Sequence, residues 1–544
     1  MKPAYCFSHQ HFYLLFLAVF TAASDLYFQG GSNGIAALLA KAVVYLALYC
    51  GFFFLMDMAV TSCRKHAEFY GWHQYFCFTK RNILRLSLLF FAVYFLYLLV
   101  FYPGATTGDT LYQIEDLVTG TAPMPYPSTY SSRTVSALMI DSNPVMTTLV
   151  FTLFYHLGLL TGDPNRGLFL YNLLQSAFLA VLFSVIVCYM DRLHVPKPVA
   201  LVSTVFYASP LLASYAVTMG KDLLFSSCFV LYFHFFAWLV LKPSEEGGSK
   251  KQWILLLLFS LLIALTNKKG AALAAFSNLC LLFAVSGRKR LFAIPAALLP
   301  YLIVGIVLPQ LLFPALNIFA GGRQEVLGVA FQQTSLSIME HPEEYPEEEK
   351  ELFFSLLNLS QETLDEVYNP TITDPIKNRF SYDTDQEDVH AYLKVWASHF
   401  PREAGTYIRA TLSISGGYFS PHKLFNVYQY TPYSGVLGAF SQPGKTEALR
   451  SSLGALIYWL EQIPVFSVFS QDSFCLFWVP AFSFYYFRKQ NQKKKLVLLA
   501  PIAANLLFLV FAPVCITRYG LCQVFTFPML LAVMTQSGKA GGTV

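Results

Sequence analysis

Long apolar runs, separated by short clusters of charge, dominate the chain. Runs at 9–23, 34–61, 83–102, 166–189, 199–219, 222–242, 252–267, 270–286, 291–314, 471–487, 496–515 and 519–536 approach the roughly 20 residues that a helix needs to cross the hydrocarbon core. Two more, 144–160 and 453–470, are apolar but less regular, and the second carries Glu461 and Pro464 inside the run. The first run is short enough to resemble the core of a signal peptide, yet no small-residue cleavage site follows it clearly. Leu26-Tyr27-Phe28-Gln29-Gly30 resembles a protease-tag recognition sequence. Ser24 and Asp25 do not fit such a site, and we read 24–32 as native.

Composition agrees with the pattern. Of 544 residues, 55% are hydrophobic, 17% aromatic and only 13% charged, with a mean hydropathy of +0.49. Soluble domains carry about 25% charged residues, so an ordinary soluble enzyme is excluded, as is a disordered chain. A net charge of +5 is too small for a nucleic-acid binder. Fifty-one Phe and 33 Tyr suit a body surrounded by lipid with aromatic interfaces. None of the ten cysteines forms a CxxC pair, and 315–452 contains none, which argues against a disulfide framework or zinc ribbon. The predicted fold class is an all-α polytopic membrane protein of about twelve crossings.

The basic loops set the orientation. Arg64, Lys65, Lys80, Arg81 and Arg85; Arg192 and Lys197; Lys242, Lys250 and Lys251; Arg288, Lys289 and Arg290; and Arg488, Lys489 and Lys493–Lys495 should all be cytoplasmic. That requires an even number of crossings between each pair. The runs 144–160 and 453–470 are therefore read as outer-face surface or re-entrant helices, and both termini fall inside. The chain divides into 1–82 (N-terminal helices), 83–314 (a transmembrane core with a first outer loop at 103–165), 315–452 (an extracytoplasmic region with 18 acidic and ten basic residues) and 453–544 (a surface helix and C-terminal helices).

This topology collects ionisable groups on one face. Loop 103–165 supplies Asp109, Glu115, Asp116, Arg133, Asp141 and Asp163, with Arg166 just beyond. Separate turns supply Lys221 and Asp222, then Asn267, Lys268 and Lys269, then Arg518. Charges at a bilayer are costly and mark function. A carboxylate can act as general base, and Lys and Arg stabilise a phosphate. Each residue also has an ordinary structural role open to it: Asp109 and Asp222 as helix caps, Lys268-Lys269 as snorkelling side chains, Arg518 as an interfacial anchor. The glutamate run 343–351 reads as a solvated helix face, and His156, His194 and His234 as structural. Asp109 and Asp116 lack the spacing of a metal motif, and no Walker loop, GxSxG or HExxH occurs.

Several elements, in order, resemble bacterial membrane glycosyltransferases of the GT-C class. Phe101-Tyr102-Pro103-Gly104 followed by Asp109 and Gln113 is similar to their first outer loop. Asn143-Pro144-Val145 resembles the start of their juxtamembrane helix, with Asn143 where His is usual. Ser209-Pro210 to Lys221-Asp222, the turn 265–270, and Arg518-Tyr519 resemble further family elements. Gln332-Gln333, Tyr368-Asn369-Pro370, Asp374-Pro375, Lys377 and Gly417-Tyr418-Phe419-Ser420-Pro421 look like one uncharacterised subgroup.

The resemblance implies transfer of a sugar from a polyprenyl-phosphate donor to an envelope glycan, lipid or protein, at the outer face of the cytoplasmic membrane. Asp109 would be the catalytic base. Lys221, Arg518 and Lys269 would bind the donor phosphate, and Asp222, Gln113, Gln332 and Gln333 would orient substrate. No cofactor is read with certainty: a divalent metal is compatible, but no dedicated metal cage is visible. The alternatives are a transporter or flippase of lipid-linked saccharide, which would place ionisable residues at mid-membrane, and a non-catalytic envelope scaffold.

Overall fold

The computed structural model describes residues 4–31, 34–65, 73–123, 134–241, 248–319, 321, 323–381, 384–424, 437, 440 and 444–536. Arg133 and Lys242 lie outside the described residues, as does the side chain of Cys6. The chain is mostly helical. Among the described residues, six helices are long and apolar enough to cross a membrane: Gln10–Phe28, Ile35–Arg64, Lys80–Val100, Pro164–Arg192, Lys221–Leu241 and Arg288–Ala315. A seventh span forms if Lys197–Tyr207 and Pro210–Ala216, bent by 54°, count as one.

Of the remaining expected spans, 519–536 is one continuous 19-residue helix, Thr517–Thr535, that carries Arg518 in its first turn; the others are shorter or interrupted, and the cause is local. Lys250–Thr266 and Lys269–Ala284 form a hairpin with arms of 17 and 16 residues, each about 25 Å at 1.5 Å per residue. The 199–219 run bends where Ser209 caps a new helix that opens on Pro210. The 471–487 and 496–515 runs start with π and 3₁₀ turns before Val479–Lys489 and Ala500–Val510, each with a proline in its first turn. The run 144–160 becomes Val145–Leu160, 16 residues with an exposed stripe at Leu149, Leu153 and Leu160. The run 453–470 becomes Glu447–Glu461 and Pro464–Phe469, with Tyr458 and Trp459 exposed.

The central core is aromatic. Tyr94 donates to the Tyr207 carbonyl (2.6 Å), Tyr207 donates to the Phe525 carbonyl (2.8 Å), and the Phe183 and Tyr207 rings stack at 4.0 Å. Basic groups meet at one end of the bundle: Arg64 donates to the Gln536 carbonyl, Lys495 to the Val533 carbonyl, and Lys489 pairs with Asp57. Residues 323–392 have their own core around Phe331, Phe353, Leu357 and Tyr392. The 30-residue helix Gln386–Ser415 begins in that unit, and its C-terminal part packs on the first helix of the chain. A Cβ on Gly416 would sit 2.3 Å from the Ser24 carbonyl oxygen, so close packing needs glycine there. Asp25 is buried and bonded to Lys41 and His422, so this stretch is built into the fold.

Candidate functional site

Short main-chain pairings bring the distant turns together. Ala105–Thr106 pairs in parallel with Thr218–Met219, in the register Ala105↔Thr218 and Thr106↔Met219. A helix begins just past each strand, at Gly108 and at Lys221. Asp109 and Lys221 therefore meet although more than a hundred residues separate them. The approach to this clasp is tight: Gly104 has φ +111°, and a Cβ there would lie 2.0 Å from the Asn172 amide nitrogen. The Gln175 amide secures the second strand by donating to the Ala216 and Thr218 carbonyls (3.1 and 2.9 Å).

Met139–Ile140 pairs with Ile318–Phe319 in the same way. Asp141 then accepts a bond from the Gly321 N–H (2.7 Å), which ties the 103–165 segment to the start of the unit at 323–392. A third link joins the Thr373 N–H to the Pro513 carbonyl (2.9 Å), beside the Ile372–Val514 bridge. It sets Asp374 and Lys377 next to the turn that precedes Arg518. The buried Tyr418 hydroxyl steadies that turn, accepting from the Ile516 N–H at 2.9 Å and lying 3.0 Å from the Ile516 carbonyl oxygen.

At the centre, Asp109 Oδ2 lies 3.0 Å from Lys221 Nζ and 3.2 Å from Arg518 Nη2. Arg518 Nε is 3.6 Å from Asp222 Oδ2, and the Asn267 amide donates to Asp222 Oδ1 at 3.1 Å. Lys221 also donates to Asn143 Oδ1. Burial alone would raise the pKa of Asp109, but the Lys221 and Arg518 charges outweigh it and hold the carboxyl well below its usual range. Asp109 therefore stays ionised, and its first-turn position favours that charge.

All of these except Asp222, which stands behind Arg518, line a cavity of about 330 Å³. Helix Gly108–Thr119 supplies Asp109, Tyr112 and Asp116 at i, i+3 and i+7, one helical face, while Leu111 and Ile114 point into a small apolar core. Burial, with the neighbouring Glu115 charge, pushes Asp116 up to about 7. The unit at 323–392 adds Glu325, Asp374 and Lys377. The Lys377 ammonium pairs with Glu325, and with Asp374 at 3.1 Å. Lys268 reaches in from the hairpin turn, 3.3 Å from Asp141.

Four residues expected at the site stand elsewhere. Lys269 donates to the Tyr519 carbonyl (2.7 Å) and lies over the Phe225 ring, because the helix starting there turns it away from its neighbour Lys268. Gln113 is buried and donates to Thr147 and Thr148 (2.7 and 2.9 Å), joining helices Gly108–Thr119 and Val145–Leu160. Gln332 bonds the Asn369 carbonyl. Gln333 bonds Thr411 (2.8 Å) and accepts from Trp396 (2.8 Å), between helices Arg323–Glu340 and Gln386–Ser415. Residues not assigned a role from sequence take their place: Lys268, Asp116, Asn143 and Lys377. Asp116 carried a signal in its seven-residue offset from Asp109, and Lys268, Asn143 and Lys377 stood in the segments singled out from sequence without a role of their own. Among the described residues, no group of three or more His, Cys, Asp or Glu side chains is placed to hold a metal ion.

Fold and site together define a helical membrane protein with an ionic cavity assembled from four separate turns and the unit at 323–392. The chain belongs to a family of unknown function, DUF6020, whose profile matches residues 11–543. No curated protein and no solved structure matches it.

Proposed function

We propose that this protein is a membrane glycosyltransferase that moves a sugar from a polyprenyl-phosphate donor to an envelope acceptor at the outer face of the cytoplasmic membrane. One observation carries the reading: the Asp109 carboxylate sits between Lys221 and Arg518, an acid and two cations from three remote parts of the chain. In an inverting displacement the acceptor oxygen attacks the anomeric carbon, and the carbon–oxygen bond to phosphate breaks. The leaving phosphate takes the electron pair, and Lys221 and Arg518 stabilise its charge. The acceptor proton passes to Asp109. Asp109 is a weak base while both cations hold it. A donor phosphate drawing Lys221 and Arg518 to itself raises that basicity, so the base is generated when the donor is in place. Asp222 and Asn267 orient the Arg518 guanidinium.

A twelve-crossing topology accompanies this reading. The turns bearing Asp109, Lys221, Lys268 and Arg518 share one cavity, which requires even numbers of crossings between them. Counting each hairpin arm, the bent pair and the C-terminal helices as spans meets that condition, with Val145–Leu160 and Glu447–Phe469 lying on the outer surface. Cysteine labelling from outside tests it: accessible positions at Arg192 or Lys493 would overturn it.

The activity is tested by incubating membranes with labelled polyprenyl-phosphate sugars, with and without EDTA. Transfer is expected from at least one donor, and Asp109→Asn is expected to abolish it while inserting normally. Full activity in that variant refutes the base role, and inhibition by EDTA would add a metal to the site.

A further inference from the structure

At the end of the bundle where Arg64, Lys489 and Lys495 gather, three helices converge by their C-terminal turns. Pro164–Arg192, Lys221–Leu241 and Thr517–Thr535 leave a cavity of about 190 Å³ between them. Its lining runs from Ile186 to Arg192 on the first, from Phe233 to Leu241 on the second, and from Met529 to Gln536 at the end of the third. At 1.5 Å per residue these stretches make a slot about 10 Å deep along the helix axes. Lys221 and Arg518 stand at the opposite ends of two of these helices, about 30 Å away, so the slot is separate from the ionic cavity.

Among the described residues that line the slot, Arg192 alone carries a fixed charge, and it stands at the mouth. The charges around it are already matched. Asp191 pairs with Lys197 at 2.7 Å and accepts from the Phe78 N–H at 3.1 Å. Arg64 and Lys495 donate to the Gln536 and Val533 carbonyls and so cover the acceptor end of the third helix. Lys489 pairs with Asp57. Arg192 is exposed, lies 5.5 Å from the Phe78 ring centroid and has no carboxylate partner among the described residues. A guanidinium stacked in this way keeps its planar fork of donors for an anion.

Deeper in the slot, His234 is half-buried. It meets Tyr189 edge-on at 4.8 Å and the Trp238 ring at 6.1 Å, and its ring nitrogens make no hydrogen bond among the described residues. In either tautomer one of those nitrogens is a donor, and an ionisable side chain within a membrane span calls for a partner. A bare hydrocarbon offers none, whereas an ester carbonyl accepts. The slot thus asks for an anion at its mouth, an acceptor below it and an apolar chain.

We infer that this slot binds an acyl phospholipid with an anionic headgroup, its phosphate at Arg192, an ester carbonyl toward His234 and one acyl chain between the three helices. In the twelve-crossing topology it is a lipid of the cytoplasmic leaflet. The inference does not depend on sugar transfer.

The purified full chain in detergent is titrated calorimetrically with dioctanoyl phosphatidylglycerol and dioctanoyl phosphatidylcholine, which share chains and esters and differ in net headgroup charge. The wild type should bind phosphatidylglycerol about fivefold more tightly, the effect of one basic side chain at an anionic headgroup. Arg192→Gln should abolish that preference. His234→Phe should weaken both lipids about threefold and keep the preference. Lys268→Ala, at the ionic cavity, should change neither, and thermal melts establish that each variant is folded. Equal binding of the two lipids by the wild type overturns the inference, as does an intact preference in a folded Arg192→Gln protein or unchanged binding in a folded His234→Phe protein. A preference lost in Lys268→Ala moves the anion to the ionic cavity and overturns it too.

Discussion

Replacing Asp109 with Asn should separate binding from transfer. The carboxylate occupies the two cations that a phosphate would need, at 3.0 Å from Lys221 and 3.2 Å from Arg518. A phosphate sharing those nitrogens lies about 5 Å from the Asp109 oxygens, and at an effective dielectric near 20 that like-charge contact costs about 3 kcal/mol. Asp109→Asn removes this repulsion and leaves Lys221 and Arg518 free to meet the anion. Affinity for a prenyl monophosphate should therefore rise on the order of a hundredfold, while sugar transfer falls by about 10²–10⁴ with loss of the base. Calorimetric titration of the purified protein in nanodiscs gives the first quantity, and a radiolabelled transfer assay gives the second. Raising the salt should shrink the gain only partly, since the pair is mostly buried. Equal or weaker phosphate binding in a folded Asp109→Asn protein would show that Asp109 organises the cations rather than competing for them, and would refute the reasoning.

Three further outcomes follow from the geometry. Gly104→Ala forces a side chain onto a φ of +111° and into the Asn172 amide; the backbone alone costs roughly 1–3 kcal/mol, so melting temperature and transfer should fall together, and an unaffected melt would contradict the clasp. Tyr418→Phe leaves the Ile516 N–H without its hydroxyl acceptor, a loss of about 1–3 kcal/mol if that group stays buried; a drop in thermal stability together with weaker phosphate binding through Arg518 is expected, and unchanged binding would show that the turn is held by other contacts. Asp116, pushed up to about 7, holds its proton more tightly folded than unfolded. Stability should fall as pH rises from about 4 to 7 and the penalty should persist above 7, so Asp116→Asn should melt higher than wild type at pH 8 and alike at pH 4; the same difference at both values would assign the effect to packing.

How much of this could be read from the chain depends on what each feature needs. Asp109, Lys221 and Arg518 were legible because each stands at the edge of an apolar run, where a charge has few uses, and the basic loops assign those edges to one face. The change in composition set 315–452 apart from the apolar runs, and residues 323–392 within it have a core of their own. The choice of Lys268 over Lys269 was not, since adjacent residues at a two-residue turn point to different sides and only the helix start decides which. Gln332 and Gln333 looked suited to a ligand because an amide bonds equally well to a substrate or to a buried protein group; the Asn369 carbonyl took Gln332, and packing against Gln386–Ser415 took Gln333.

Apolar patterning by itself determined a helical membrane protein with its charges sorted to the ends of the apolar runs, because burial in lipid depends on composition along each run. Tertiary structure alone decided which runs are single long helices and which are hairpin arms or interrupted helices. It also decided that Lys377 reaches the Asp109 cavity, through the Thr373–Pro513 bond. Such outcomes depend on main-chain pairings between segments far apart in the chain, and a two-residue strand leaves no periodic trace by which its partner can be known in advance.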